Sequence, residues 1–120
     1  MNNQPSPLYY DLSRLIRLSS GNMEFVKKMM RLFLKQAPAD IRELEMAATA
    51  GELQKAKELA HRMKPSVDNM GIESLYTVIR SIELYNSMDM TPEVYDEIQL
   101  TIGTIRQVII QLEHDPLLID

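Results

Sequence analysis

Among the side chains of this 120-residue sequence, only His61 and His114 are of a type that ordinarily titrates near neutral pH, and there is no cysteine. A disulfide framework, a thiolate metal site and thiol catalysis are therefore excluded, and the composition suits a reducing compartment. His61 lies in the run Ala60-His61-Arg62-Met63-Lys64-Pro65-Ser66-Val67-Asp68-Asn69-Met70-Gly71, surrounded by cations. An exposed neutral imidazole is a nucleophile that can accept a phosphoryl group, and an ammonium one turn away can offset the phosphoryl charge. The competing reading is that a histidine flanked by lysines is simply a solvated helix face.

Helix geometry decides where these groups point. Leu53, Ala56, Ala60, Met63, Val67 and Met70 recur at alternating steps of three and four, the pattern of a buried stripe. With Ala60 at zero and about 100° per residue, that stripe spans about −80° to +20°. Lys64 then falls near about 40°, Lys57 about 60°, Asp68 about 80°, His61 about 100° and Pro65 about 140°. His61 is thus on the wet side. Pro65 lacks the N–H that would bond the carbonyl of His61, and its short ring leaves the approach open, yet the stripe keeps its phase beyond it.

The remaining elements follow from the same periodicity. Met1 to Pro7 reads as a flexible arm, and Asp11 to Leu18 as a short helix, a candidate lid, ended by Ser19-Ser20-Gly21. Asn22 caps a long helix with Phe25, Met29, Leu32, Phe33, Ala37, Ile41, Leu44 and Ala48 as its stripe, bent at Pro38 and stopped at Gly51. A helix from about Glu52 ends at Gly71, and the pattern Ile72, Leu75, Tyr76, Ile79, Ile82, Glu83 runs to about Ser87. Thr91-Pro92-Glu93 starts the last helix, whose stripe is Val94, Ile98, Ile102, Ile105, Ile109 and Leu112. Asp115-Pro116 closes it, leaving 116–120 as a tail. Short connections make successive helices neighbours, so the predicted fold is all-α: an antiparallel four-helix bundle over 8–115 with a short extra N-terminal helix.

Composition narrows the function further. A net charge of −4 argues against nucleic acid as a partner, and no apolar run is long enough to span a membrane. No signal peptide is visible at Met1 to Tyr10, so a cytoplasmic monomer is the expectation. Glu58 and His61 form a Glu-x-x-His step of the kind seen in di-iron bundles, but His114 has Gln111 at the matching place. Both groups also point away from the core, so no metal site is expected. His114 is expected at a helix end, favourable to the dipole. The tyrosines at 9, 10, 76, 85 and 95 are expected at packing edges with hydroxyls in water.

The run His61-Arg62-Met63-Lys64-Pro65-Ser66-Val67-Asp68-Asn69-Met70-Gly71 resembles the signature of histidine-containing phosphotransfer (HPt) domains: Lys at +3, a small residue at +4, Ser at +5 and Gly at +10. The resemblance covers residues 8 to 87, through Asp11-Leu12, Gly21-Asn22 before Phe25, Phe33-Leu34 ahead of Ala37-Pro38, and Gly51-Glu52-Leu53. It implies a phosphorelay intermediate of two-component signalling rather than an enzyme. His61 would accept a phosphoryl group from a receiver-domain aspartyl phosphate and pass it to another receiver, with Lys64 as the steadying cation. It also implies that no cofactor is bound and that magnesium sits on the receiver. Partners would be receiver domains, with a hybrid sensor kinase as a further one. Lys57, Lys64, Pro65 and Asp68 would meet the partner, Ser66 would keep the packing small, and Gly71 would let the helix turn close to its neighbour. Two residues depart from the family pattern: Pro65 stands where glycine is commonest, and Asp68 adds a charge expected to bias the choice of receiver. The alternative is a helical-bundle module that docks receivers or other helical partners without being phosphorylated.

Overall fold

A computed structural model describes residues 7–119, which form five α-helices and no strand. Helix α1 is Ser13–Leu18, α2 Met23–Thr49, α3 Leu53–Asn69, α4 Tyr76–Leu84 after a 3-10 turn at Glu73–Leu75, and α5 Pro92–Glu113. The expected N-terminal arm falls, apart from Pro7, outside the described residues.

The caps are those the sequence predicts. The Asn22 side chain accepts the Phe25 N–H at 3.2 Å, and Thr91 Oγ1 accepts that of Val94 at 3.4 Å with Pro92 next in line. Both internal prolines are tolerated: α2 runs through Pro38 and α3 through Pro65. Each proline removes one donor N–H, a local cost that the packing of the helix's apolar face outweighs.

Helix α3 packs on α2 and α4, α5 packs on the same two, and α1 lies against α2. The product is the expected antiparallel four-helix bundle plus one short helix. Polar ties cross the seams: Arg62 of α3 donates to Asp40 and Glu43 of α2 at 3.0 Å each, and Gln99 of α5 donates to Glu45 of α2 at 2.9 Å. Leu44, Leu59, Val67, Ile79, Ile98 and Leu112 are among the buried residues on which the helices converge. Each such side chain contributes about 1.5–3 kcal/mol relative to exposure.

Two stripes differ from the sequence reading. In the first half of α2 the core takes Val26 and Met30, while Phe25 and Leu32 are each 40% exposed and Met29 is half-buried. In α5, Val108 is buried and Ile109 only partly so. Apolar residues occupy two adjacent registers in both segments, and which register faces inward is set by the neighbouring helices.

The N-terminal segment is stitched to the far end of the chain. Tyr10, 5% exposed, donates its hydroxyl to Asp115 at 2.5 Å, so it is not the edge residue with a wet hydroxyl that was expected. Burial first, then the bond to Asp115 and its charge, push the Tyr10 phenol well above its ordinary range. Tyr76 and Tyr85 also bond protein, at the Asp68 carbonyl and at Thr91 Oγ1, whereas Tyr9 and Tyr95 are exposed. The Asp11 N–H donates to the Met70 carbonyl at 3.1 Å, and Gln111 bonds the Pro7 carbonyl and the Tyr9 N–H. Gly71 makes this closure possible. Its φ is +62°, and a Cβ there would lie 2.1 Å from the Asp11 carbonyl oxygen. Beyond α5, Leu117 and Leu118 pack against the core, where the sequence suggests a tail. His114 caps α5, with Nδ1 2.9 Å from the Ile110 carbonyl, as expected of a helix-end residue.

Candidate functional site

His61 sits near the middle of α3 with its side chain 71% exposed. Leu59, Ala60 and Met63 anchor the same turn in the core, so the ring projects from a rigid element. Its Nδ1 lies 2.5 Å from Oε1 of Glu83, near the end of α4, and the other oxygen of that carboxylate accepts from Lys64 Nζ at 2.8 Å. One carboxylate therefore holds both the imidazole and the ammonium. The bond from Lys64 first, then that from His61, hold the Glu83 carboxyl below its ordinary range.

An ionised carboxylate can only accept hydrogen bonds, so Nδ1 must carry the proton in the His61–Glu83 pair. In a neutral ring the lone pair is then on Nε2, which Glu83 does not engage. This is the arrangement a nucleophilic imidazole requires: one nitrogen fixed and protonated, the other free. If Nε2 is phosphorylated while Nδ1 keeps its proton, the ring becomes cationic, and the carboxylate is already in place to balance it.

The other expected site residues divide into two groups. Pro65 is exposed one turn beyond His61, Lys57 is partly exposed one turn before it, and Ser66 is partly buried on the α2 side. Asp68, by contrast, is not a free charge beside His61. Arg80 of α4 grips both its oxygens, at 2.7 and 3.1 Å, and also donates to the Tyr76 carbonyl. The charge of Asp68 is therefore balanced within the chain by a two-pronged pair. Gly71 does serve a close approach, but its neighbour is the Asp11 backbone and it belongs to the N-terminal closure. Glu58, the other half of the Glu-x-x-His step, is exposed, and among the described residues no three His, Cys, Asp or Glu side chains converge on a metal-sized site.

Glu83 escaped the sequence reading as a functional residue. It is 22 positions from His61, on another helix, and was placed in the α4 stripe after Ile79 and Ile82. The available signal was that it is a carboxylate in an otherwise apolar series, at 17% side-chain exposure.

A family model described as the Hpt domain matches residues 28–113, well over half of the chain. It extends through α5, beyond the expected limit of the resemblance at residue 87, and begins after the α1 landmarks. No curated protein and no solved structure gives a significant match. No helix among the described residues is long and apolar enough to cross a membrane.

Proposed function

Because the chain belongs to the Hpt domain family, we propose that it relays a phosphoryl group on Nε2 of His61 between receiver domains. Membership gives a phosphotransfer role in two-component signalling with receivers as partners. The acceptor is the chain's own question, and the observation that carries it is the Glu83 carboxylate shared by His61 and Lys64.

In the proposed step, the Nε2 lone pair attacks phosphorus of a receiver's aspartyl phosphate. An N–P bond forms as the P–O bond breaks, and the aspartate leaves as carboxylate. Magnesium on the receiver supplies most of the charge neutralisation. This chain positions the nucleophile, holds the Nδ1 proton on Glu83 and offers Lys64 Nζ to the phosphoryl oxygens. Lys64 reaches them by exchanging its bond to Glu83 for one to a dianionic group, a favourable exchange because the phosphoryl carries more charge. Return of the group to a second receiver reverses the same atoms, so the carrier ends unchanged.

Incubation with a phosphorylated receiver and magnesium should give an acid-labile, alkali-stable label that His61→Gln abolishes. A label that persists in that variant rejects His61 as acceptor. The non-phosphorylated docking module predicts receiver binding with no label on wild type.

A further inference from the structure

The core uses one side of α5. Val94, Ile98, Ile102, Ile105, Val108 and Leu112 are buried there, and at about 100° per residue the opposite side carries Asp96, Leu100, Gly103, Gln107, Ile110 and His114. All six are exposed, Leu100 by 54% and Ile110 by 51%. Their steps alternate four and three, which is the spacing of a seam between two helices. Between Asp96 and His114 this line carries no charge, and Arg106 and Glu113 stand about 80° and 100° to one side of it.

Gly103 has no use inside the chain. A Cβ added there would meet nothing within 4 Å, and Gly103 is absent from the glycines with positive φ. Glycine in mid-helix weakens the helix relative to alanine, so its advantage lies outside the chain: it lets another backbone come close. The order of the residues says which backbone. Asp96 with His114, Leu100 with Ile110 and Gly103 with Gln107 are three pairs with one midpoint, residue 105. An antiparallel copy of α5, related by a two-fold axis at that residue, sets acid against imidazole and Leu100 against Ile110. It also lays the Gln107 side chain over the gap at Gly103, and each contact occurs twice. His114 holds the Ile110 carbonyl through Nδ1, which leaves Nε2 for the carboxylate of the other copy. A parallel copy would instead set Asp96 against Asp96 and His114 against His114, which like charges disfavour.

We propose that the outer face of α5 pairs two copies of this chain, antiparallel, about a two-fold axis at residue 105. This replaces the monomer expected from the sequence and does not depend on the phosphotransfer reading. The seam runs about 27 Å, from Asp96 to His114. A single helix pair is at the low end of interface sizes, so the dimer is reversible. Helices α3 and α5 each pack on α2 and α4 and so stand across the bundle from one another. Pairing through α5 therefore leaves both copies of His61 open on the outer sides of the dimer.

Sedimentation equilibrium of the full chain from about 5 µM to about 500 µM should give a mass that climbs from one chain toward two. Gly103→Met fills the close approach, yet in the single chain its side chain meets open space. It should resist urea at least as well as wild type and weaken the dimer by about tenfold or more. Leu100→Lys should weaken it likewise. Leu100→Lys/Ile110→Glu should restore it, because the two new charges are about 15 Å apart within a chain and face each other across the axis. Receiver-dependent labelling should keep the wild-type rate in all three variants. A wild-type chain that stays monomeric over the whole range overturns the proposal. A dimer that survives Gly103→Met and Leu100→Lys puts the contact elsewhere and rejects it, and loss without rescue in the double variant rejects the antiparallel pairing. A monomeric wild type whose receiver-dependent labelling is slowed by Leu100→Lys gives the face to the receiver. One that pellets with phosphatidylcholine vesicles unless Leu100 is replaced by lysine gives it to lipid, and either result rejects the proposal.

Discussion

Replacing Gly71 with alanine separates two demands that one glycine meets. The backbone there has φ +62°, and so does Gly51 nearly, at +70°. For a residue with a Cβ this conformation costs about 1–2 kcal/mol. At Gly51 nothing lies within 4 Å of the added atom, so Gly51→Ala should cost that amount and no more. At Gly71 the new Cβ would meet the Asp11 carbonyl oxygen at 2.1 Å and other Asp11 backbone atoms at 2.9 Å. Backbone has to move, and the first loss is the Asp11–Met70 hydrogen bond, about 1 kcal/mol. Displacing the segment also loosens the buried Tyr10 ring, a further ~1 kcal/mol if about half its apolar contact is lost. Gly71→Ala should therefore destabilise by about 3–4 kcal/mol, roughly 2 kcal/mol more than Gly51→Ala. Urea unfolding of both variants, followed by circular dichroism, measures the difference directly. Equal losses at the two positions would refute the close approach of the N-terminal segment. Because the partners of His61 lie on α3 and α4, the folded fraction of Gly71→Ala should still accept phosphoryl at the wild-type rate.

Tyr10→Phe removes the bond to Asp115 and should cost about 1–2 kcal/mol near neutral pH. The Tyr10 pKa is raised on folding, so its contribution is complete below the unfolded value near 10 and is lost as pH rises through the folded value; unfolding curves for the two proteins should converge at high pH, and a constant gap contradicts the assignment. Glu83 is shifted the other way: its contribution is present above the ordinary carboxylate range and is lost as pH falls through the depressed folded value. Glu83→Gln can offer an amide N–H to Nδ1 and so favour the wrong tautomer, and transfer should slow by about tenfold or more, while Glu83→Asp recovers part of the rate. An unchanged rate in Glu83→Gln would remove the carboxylate from the chemistry. Lys64→Ala should slow transfer with the bundle still folded by circular dichroism, and an unaffected rate would reject its role as phosphoryl cation.

Helix existence and class were legible in the sequence because the apolar positions of α3 and most of α2 admit one register, and because Asn22 and Thr91-Pro92 mark the starts clearly. Where the pattern admits two registers, as at Phe25-Val26 and Met29-Met30, periodicity cannot choose. The inward face depends on what α1 and α5 bring to α2, and that information is not local. The same limit governs the site. A helical wheel placed His61 and Asp68 at similar angles, but an angle does not name a neighbour: α4 brings Glu83 to one and Arg80 to the other, giving the first a working partner and the second a neutralising one. Lys64 was legible as a cation near His61, and its tie to Glu83 was not. Gly71 was legible as a stop, while the Asp11 backbone that requires it lies 60 positions away.

The central claim is that Nε2 of His61 takes the phosphoryl group while Nδ1 stays protonated against Glu83. Long-range 1H–15N correlation spectra of the imidazole rings, recorded before and after transfer from a phosphorylated receiver, test it most directly. The expected spectrum of the free chain shows His61 as the Nδ1–H tautomer whenever the ring is neutral, and the phosphorylated chain shows phosphorus coupling at Nε2 of His61 alone. Coupling at Nδ1, or at either nitrogen of His114, would contradict the account.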